Sequence, residues 1–371
     1  MSPIIRRCLL SASFGLAAAS SPLLAGPPPF VRTNLVSGAG TALANGAALL
    51  SAVATAAPNG CAASNRRWLV RLEPGIFNLG SSGLVMKNCV DIEGSGRDVT
   101  TILSQGSPST ITWGAGITAE VRNLTIQNSP PAGQTFAVTL NSSTGALSRV
   151  NVIATGTSTV IGVLVSGTGT SPVLSDVAVM ASSTANTQSE FVYGLYFNQS
   201  TPLVNNVKIS IASPNTDNTG IYEISGAAAT VDGGTVTVSG GTIDIGIWVS
   251  AGCSLNLTRG NVNDAGQQAF GIEDEGGGMV EIAYSVIVAI ASNPVADGFG
   301  IRESVVAGTV VIQHSTIEGS GFSIADFPSP PLTNRVAMSQ LVNPVYPSPG
   351  TPFTCVGTYN QSFTSLNGHC L

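Results

Sequence analysis

Apolar positions recur along this chain in short runs, each led by a glycine. Gly162-Val163-Leu164-Val165, Gly194-Leu195-Tyr196-Phe197 and Gly220-Ile221-Tyr222-Glu223 are followed by Gly246-Ile247-Trp248-Val249, Gly271-Ile272-Glu273-Asp274 and Gly300-Ile301-Arg302-Glu303. The leading glycines are 32, 26, 26, 25 and 29 residues apart. Recurrence at this period marks a repeat architecture. A second apolar run follows in each unit, as in Val177-Ala178-Val179, Val207-Lys208-Ile209, Val236-Thr237-Val238 and Val286-Ile287-Val288. Each run is strand-length, and only two or three strands fit a unit, too few for the four antiparallel strands of a propeller blade. Tight Asn-Gly hairpins and a regular leucine ladder are also missing. The pattern therefore predicts an all-β chain wound as a right-handed parallel β-helix of about ten coils, each coil hydrogen-bonded to the next ~4.8 Å away. Asp176, Asn206, Thr235 and Ser285 precede the second runs and are expected to stack as a polar ladder down one corner.

The ends of the chain break the pattern. Leu43, Ala47, Leu50 and Val53 or Ala54 are spaced as one face of a helix, which ends at Pro58-Asn59-Gly60. A lone amphipathic helix before a β array is expected to cap it, because an open end exposes apolar side chains and unpaired strand edges. The organisation expected is a targeting segment over 1–25, a linker with capping helix over 26–64, the β-helix over 65–341 and a tail or cap over 342–371.

The first coil carries a further signal. It reads Trp68-Leu69-Val70-Arg71-Leu72-Glu73-Pro74-Gly75-Ile76-Phe77, then Leu84-Val85-Met86, Val90-Asp91-Ile92-Glu93-Gly94-Ser95-Gly96 and Thr100-Thr101-Ile102-Leu103. This order resembles the entry coil of the pectin-lyase-like superfamily of right-handed parallel β-helices, with Phe77 where Tyr is usual. The resemblance implies the fold over 65–341 and leaves activity open, because enzymes and non-enzymes share it. The Arg-x-Pro-x-x-Arg setting of pectate lyases, the Asp-Asp, Gly-His-Gly and Arg-x-Lys motifs of polygalacturonases, and the Gly-Arg-Pro-Trp region of pectin methylesterases are not found in the chain.

Composition narrows the setting. Only 9% of the 371 residues are charged, and the net charge is -6. That balance gives no basic footprint for nucleic acid. Arg6 and Arg7 followed by a short apolar run to Ala19 read as an export signal cleaved near Ala19 or Ala25, which predicts a bacterial protein that is secreted, periplasmic or at the cell surface. Beyond the N-terminus no apolar run is long enough to span a membrane. Removal of Cys8 leaves five cysteines, for which the positions suggest Cys61–Cys89 and Cys355–Cys370 disulfides with Cys253 a buried thiol. No Cys-x-x-Cys is present and His314 and His369 are isolated, so neither a metal nor a cofactor is expected.

Candidate chemistry lies on the glycine-led strands. Alternation places the first and third residues after each glycine in the core and the second outside. The outward column then reads Leu164, Tyr196, Tyr222, Trp248, Glu273, Arg302. Tyr196, Tyr222 and Trp248 would form an aromatic ridge, a surface that a sugar ring packs against, unless the 182–190 loop folds over it. Charge then gathers at Glu273, Asp274, Arg302 and Glu303 on two adjacent coils. Carboxylates one coil apart approach the ~5 Å separation of a retaining glycosidase pair. Burial would raise the pKa of Asp274 or Glu303 toward acid-catalyst values, whereas a surface Glu273–Arg302 ion pair would stabilise by about 1 kcal/mol at most. The first expectation is a protein that binds polysaccharide on the ridge and names no reaction. The alternatives are a polysaccharide lyase or glycoside hydrolase acting on acidic glycans through Asp274, Glu303, Glu273 and Arg302, and a trimeric adhesin or tailspike-like fibre.

Overall fold

The computed structural model describes residues 32–57, 67–106, 108–184, 191–214, 217–292, 298–303, 308–327, 333–347 and 353–371. The 1–25 targeting segment, Cys61 and residues 185–190 of the loop considered above lie outside the described residues. The chain is a parallel β-solenoid of about ten coils, as the repeat predicts. A smaller sheet takes one strand from each coil, in chain order from Leu84–Val85 to Val345–Tyr346. A larger sheet takes the remaining strands and supplies the other two sides of each coil.

Those two sides meet at a sharp bend. The residue at the bend has positive φ in coil after coil: Arg149 (52°), Asp176 (53°), Asn206 (52°), Gly233 (75°), Arg259 (56°), Tyr284 (52°), His314 (49°) and Met338 (48°). The strand registers place these residues directly above one another. Asp176 and Asn206 are therefore at the expected corner. Thr235 and Ser285 are not, since their coils turn at Gly233 and Tyr284. The corner is selected by backbone conformation rather than side-chain polarity, and an Arg, Tyr, His or Met occupies it when the surrounding coils hold the bend.

The repeat glycines have a different cause. A Cβ at Gly162, Gly194, Gly220, Gly246 or Gly271 would lie 2.2–2.5 Å from the nearest side-chain carbon across the interior: Val179, Ile209, Val236, Val262 or Ile287. The glycine column marks where the smaller sheet approaches the larger one most closely. The first and third residues after each glycine are buried, among them Ile221, Ile247, Ile272 and Ile301, each 0% exposed. The core they build with Val179, Ile209, Val238 and Val262 runs the length of the solenoid.

The helix forms over Ala42–Thr55, where the Thr41 side chain caps it by accepting from the Ala44 N–H at 3.3 Å. Its buried face differs from the expected stripe. Leu43 is exposed, and Asn45, Gly46, Leu49 and Val53 turn inward. The reason is the end of the solenoid beneath it. Gly46 lies against the Asn78 carbonyl, with no room for a Cβ, and the Asn45 amide donates to the carbonyls of Gly38, Gly40 and Ile76 at 2.9, 3.2 and 3.1 Å. The helix face is chosen by carbonyls that need donors as well as by apolar area.

Strand pairing also extends past 65–341. Arg32–Val36 pairs with Trp68–Leu72, and Phe353–Val356 pairs with Thr333–Ala337. The tail is thus woven onto the last coil and held by the Cys355–Cys370 disulfide. Cys89 is disulfide-bonded and Cys253 is a buried free thiol.

Candidate functional site

The outer face of the smaller sheet carries the aromatic ridge. Tyr196 pairs in register with Tyr222, Tyr222 with Trp248, Trp248 with Glu273 and Glu273 with Arg302. All three aromatics are half-buried. Their ring centroids are 5.1 Å apart for Tyr196–Tyr222, edge to face, and 4.6 Å for Tyr222–Trp248, tilted by 39°. These are the separations and attitudes at which aromatic rings attract one another.

A second aromatic column runs beside the first. Tyr193 stacks on Tyr222 at 5.3 Å and on Phe191 at 6.1 Å. Further along, Phe270, Phe299 and Phe322 stack at 5.7 and 6.0 Å, and Phe322 meets Tyr346 at 5.3 Å. Three of these residues immediately precede a repeat glycine, in Tyr193-Gly194, Phe270-Gly271 and Phe299-Gly300, and Phe322 is in register with Phe299. Strict alternation would send them inward. The glycine itself faces the core, however, and so does the residue after it, so alternation breaks there and the preceding residue leaves the main core; Tyr193, Phe270 and Phe299 are nonetheless buried, and Phe270 and Phe299 pack in a second apolar cluster with Ile245 and Ala325. The sequence signal was the residue type before each glycine, which a count taken only after the glycine passes over.

The ridge has a polar edge. Ser250 donates to Glu275 Oε2 at 2.7 Å, and the Ala251 N–H donates to the same oxygen at 3.2 Å. Burial pushes the phenols of Tyr193, Tyr196 and Tyr222 up, so all three keep their protons and remain hydrogen-bond donors. At the C-terminal end of the ridge Arg302 lies over the Phe270 ring at 4.8 Å and the Phe327 ring at 5.6 Å, and pairs with Glu273 at 3.4 Å. The guanidinium is thereby held against the aromatic surface. Burial raises the Glu273 carboxyl and the Arg302 charge opposes it.

The four acidic-cluster residues do not share one surface. Asp274 and Glu303 are adjacent in register as the repeat predicts, but both point into the solenoid and are 1% exposed. Glu273 and Arg302 are on the outside. A general acid must come within hydrogen-bond reach of the bond it protonates. A polymer lying on the outer face would touch Glu273 and Arg302 and be separated from Asp274 and Glu303 by the strand itself. Burial lifts Asp274 to about 6 and Glu303 well above the usual carboxylate range. That elevation follows from enclosure in the core rather than from a catalytic cleft.

Among the described residues no group of three or more His, Cys, Asp or Glu is arranged to hold a metal ion, and no helix is long and apolar enough to cross a membrane.

Neither protein-family models nor curated proteins match the chain. Solved structures do show a similar course of the backbone. The catalytic unit of a GH87 α-1,3-glucanase from Streptomyces thermodiastaticus is 13% identical over 90% of this chain and 70% of its own, with a TM-score of 0.44. The A-module of a mannuronan C-5 epimerase from Azotobacter vinelandii is 12% identical over 85% and 95%, with a TM-score of 0.45. A pectin methylesterase from carrot is 13% identical over 90% and 84%, with a TM-score of 0.37. Identities this low transfer neither a substrate nor a residue's role.

Proposed function

We propose that this is an exported, bacterial extracellular or periplasmic protein that binds polysaccharide along the outer face of its smaller sheet without turning it over. The observation that carries this reading is the unbroken aromatic ridge of Tyr196, Tyr222 and Trp248, with ring separations of 5.1 and 4.6 Å. Rings in a row match a ligand that repeats. The C–H faces and edges of pyranose rings pack on such apolar surface, and the protonated Tyr hydroxyls, Ser250 and Glu275 offer partners for sugar hydroxyls along its edge. The inward orientation of Asp274 and Glu303 favours binding over cleavage.

Affinity electrophoresis against a panel of neutral and acidic polysaccharides tests the reading. The protein is expected to be retarded by at least one polymer, and Trp248→Ala to lose most of that retardation while keeping its melting temperature within a few degrees. Migration unchanged by every polymer would overturn it.

One observation favours a second reading. Glu273 and Arg302 sit on the ridge, with Arg302 held over Phe270. A lyase or hydrolase of acidic glycans would use these two outward groups. Product formation from pectin or alginate that is abolished by Glu273→Gln would establish it, and full activity in that variant would remove these residues from the mechanism.

A further inference from the structure

The outer face of the smaller sheet is acidic as well as aromatic. Asp217 stands at one edge of the ridge, paired in register with Phe191 and Ile243, and it is close enough to Tyr193 to add to the effect of burial on that phenol. Glu275 stands at the other edge, where Ser250 and the Ala251 N–H donate to its Oε2 at 2.7 and 3.2 Å. Glu273 continues the line of the rings, in register after Trp248. Arg302 is next in that line and is already engaged, paired with Glu273 at 3.4 Å and lying over Phe270 and Phe327. The other charged residues on the described strands of the smaller sheet, Glu223, Asp244, Asp274, Glu303 and Asp326, are at most 1% exposed.

An ionised carboxylate accepts hydrogen bonds and donates none. The edges of the ridge therefore call for donors, which the hydroxyls of an uncharged sugar supply. A uronate polymer instead brings a carboxylate with each sugar, an acceptor of the same charge as Asp217, Glu273 and Glu275. At a partly desolvated surface such like-charge contacts are screened less than in open solvent. Arg302 does not offset them. To pair fully with a ligand carboxylate it would have to release Glu273, which has 11% of its side chain exposed and would be left without its countercharge. The chain's net charge of -6 adds repulsion at longer range.

We infer that the ridge takes an uncharged polysaccharide, bound through its hydroxyls, and excludes polymers that carry a carboxylate on each sugar. The inference rests on the reading of the ridge as a polysaccharide site and narrows that reading to one class of polymer. The polymer lies along the solenoid axis, because the rings advance coil by coil at 5.1 and 4.6 Å while Asp217 and Glu275 stand at the two edges.

Matched pairs of soluble polymers isolate the charge: hydroxyethylcellulose against carboxymethylcellulose, and highly methyl-esterified pectin against its de-esterified form. In titration calorimetry of the wild-type protein at low salt, the uncharged member of at least one pair is expected to bind about tenfold or more tightly than its charged counterpart. The gap is expected to narrow when added salt shortens the Debye length to ~3 Å. Glu275→Gln removes one charge at nearly constant shape and is expected to narrow the same ratio by admitting the charged polymer. Should that variant fail to fold, the salt dependence of the wild type decides the question. A charged member that binds as tightly as its partner or more so, with binding lost in Trp248→Ala, keeps the ridge as the site and overturns the charge assignment. A gap that salt leaves unchanged also overturns it. Binding of no member of either pair overturns the ridge reading and this inference with it.

Discussion

The middle and last coils share one backbone and differ inside. In the middle coils the inward residues of the smaller sheet are mostly apolar, Val163, Val165, Leu195, Phe197 and Val249 being 0% exposed, with Glu223 as the exception. In the last coils the corresponding third positions are Asp274, Glu303 and Asp326. The larger sheet changes in parallel. The residue after the corner bend is Val150, Val177 and Val207 in early coils, and Ser285, Ser315 and Ser339 later. The later serines form their own ladder. Each Oγ donates to a carbonyl two residues earlier at 2.7–2.8 Å, and the Ser315 and Ser339 hydroxyls accept the N–H of the serine one coil before. A parallel coil stacks like on like, so a polar residue inside can be satisfied by the same polar residue one coil away. Serine, with both a donor and an acceptor, closes such a ladder. A carboxylate without its proton does not.

Several substitutions would sharpen or break this contrast. The largest effect is expected in the apolar half. Phe197 is fully buried, and Phe197→Ala should cost about 3–5 kcal/mol in chemical denaturation, with the middle coils losing cooperativity first. Gly220→Ala should cost about 1–3 kcal/mol, since its Cβ would stand 2.2 Å from Val236 Cγ1 and 2.5 Å from the Gly246 carbonyl oxygen. A melting temperature unchanged by that substitution would show that the two sheets can part at the glycine column.

The pH dependence comes next. Burial lifts Glu223, on a middle coil between Phe197 and Val249, to about 8, and Asp274 to about 6. Both shifts are upward, so their stabilising contribution is complete below the ordinary carboxyl range near 4 and is lost as pH rises through the folded values. The melting temperature is therefore expected to fall between pH 5 and pH 9. Glu223→Gln should flatten the upper part of that curve, and a curve of unchanged slope would separate Glu223 from the effect. The smallest change is expected at the surface. Arg302→Gln should cost about 1–2 kcal/mol, because Arg302 is one-third exposed while its partner Glu273, with 11% of its side chain exposed, loses its countercharge.

Different parts of this picture were legible in the sequence to different degrees. The glycine-led strands, Tyr196, Tyr222 and Trp248 on the outside and Ile247 and Ile301 on the inside could all be read from a period-two count. So could the adjacency of Asp274 and Glu303 on consecutive coils. The count failed at the glycine, where two consecutive residues face inward, and this hid the buried aromatic column of Tyr193, Phe270 and Phe299 beside the ridge. It failed again at the corner, where Tyr284 and His314 stack at 4.9 Å in a place expected to be polar. It also misjudged the helix, because Leu43 looks like a core residue until the Asn78 carbonyl and the first coil are in place beneath Gly46.

The sequence by itself determined that this chain winds into coils and which residues recur at the same level of each coil. Period and alternation are local properties, and a local pattern repeated every 25–32 residues can be satisfied by stacking. Only the tertiary structure decided what each recurring residue meets. The distance between the two sheets made glycine obligatory, the corner's backbone angle outweighed side-chain polarity, and closure of the coil put Asp274 and Glu303 inside while Glu273 and Arg302 stayed outside. Burial and partner are set by atoms far away in the chain, and no count along the sequence contains them.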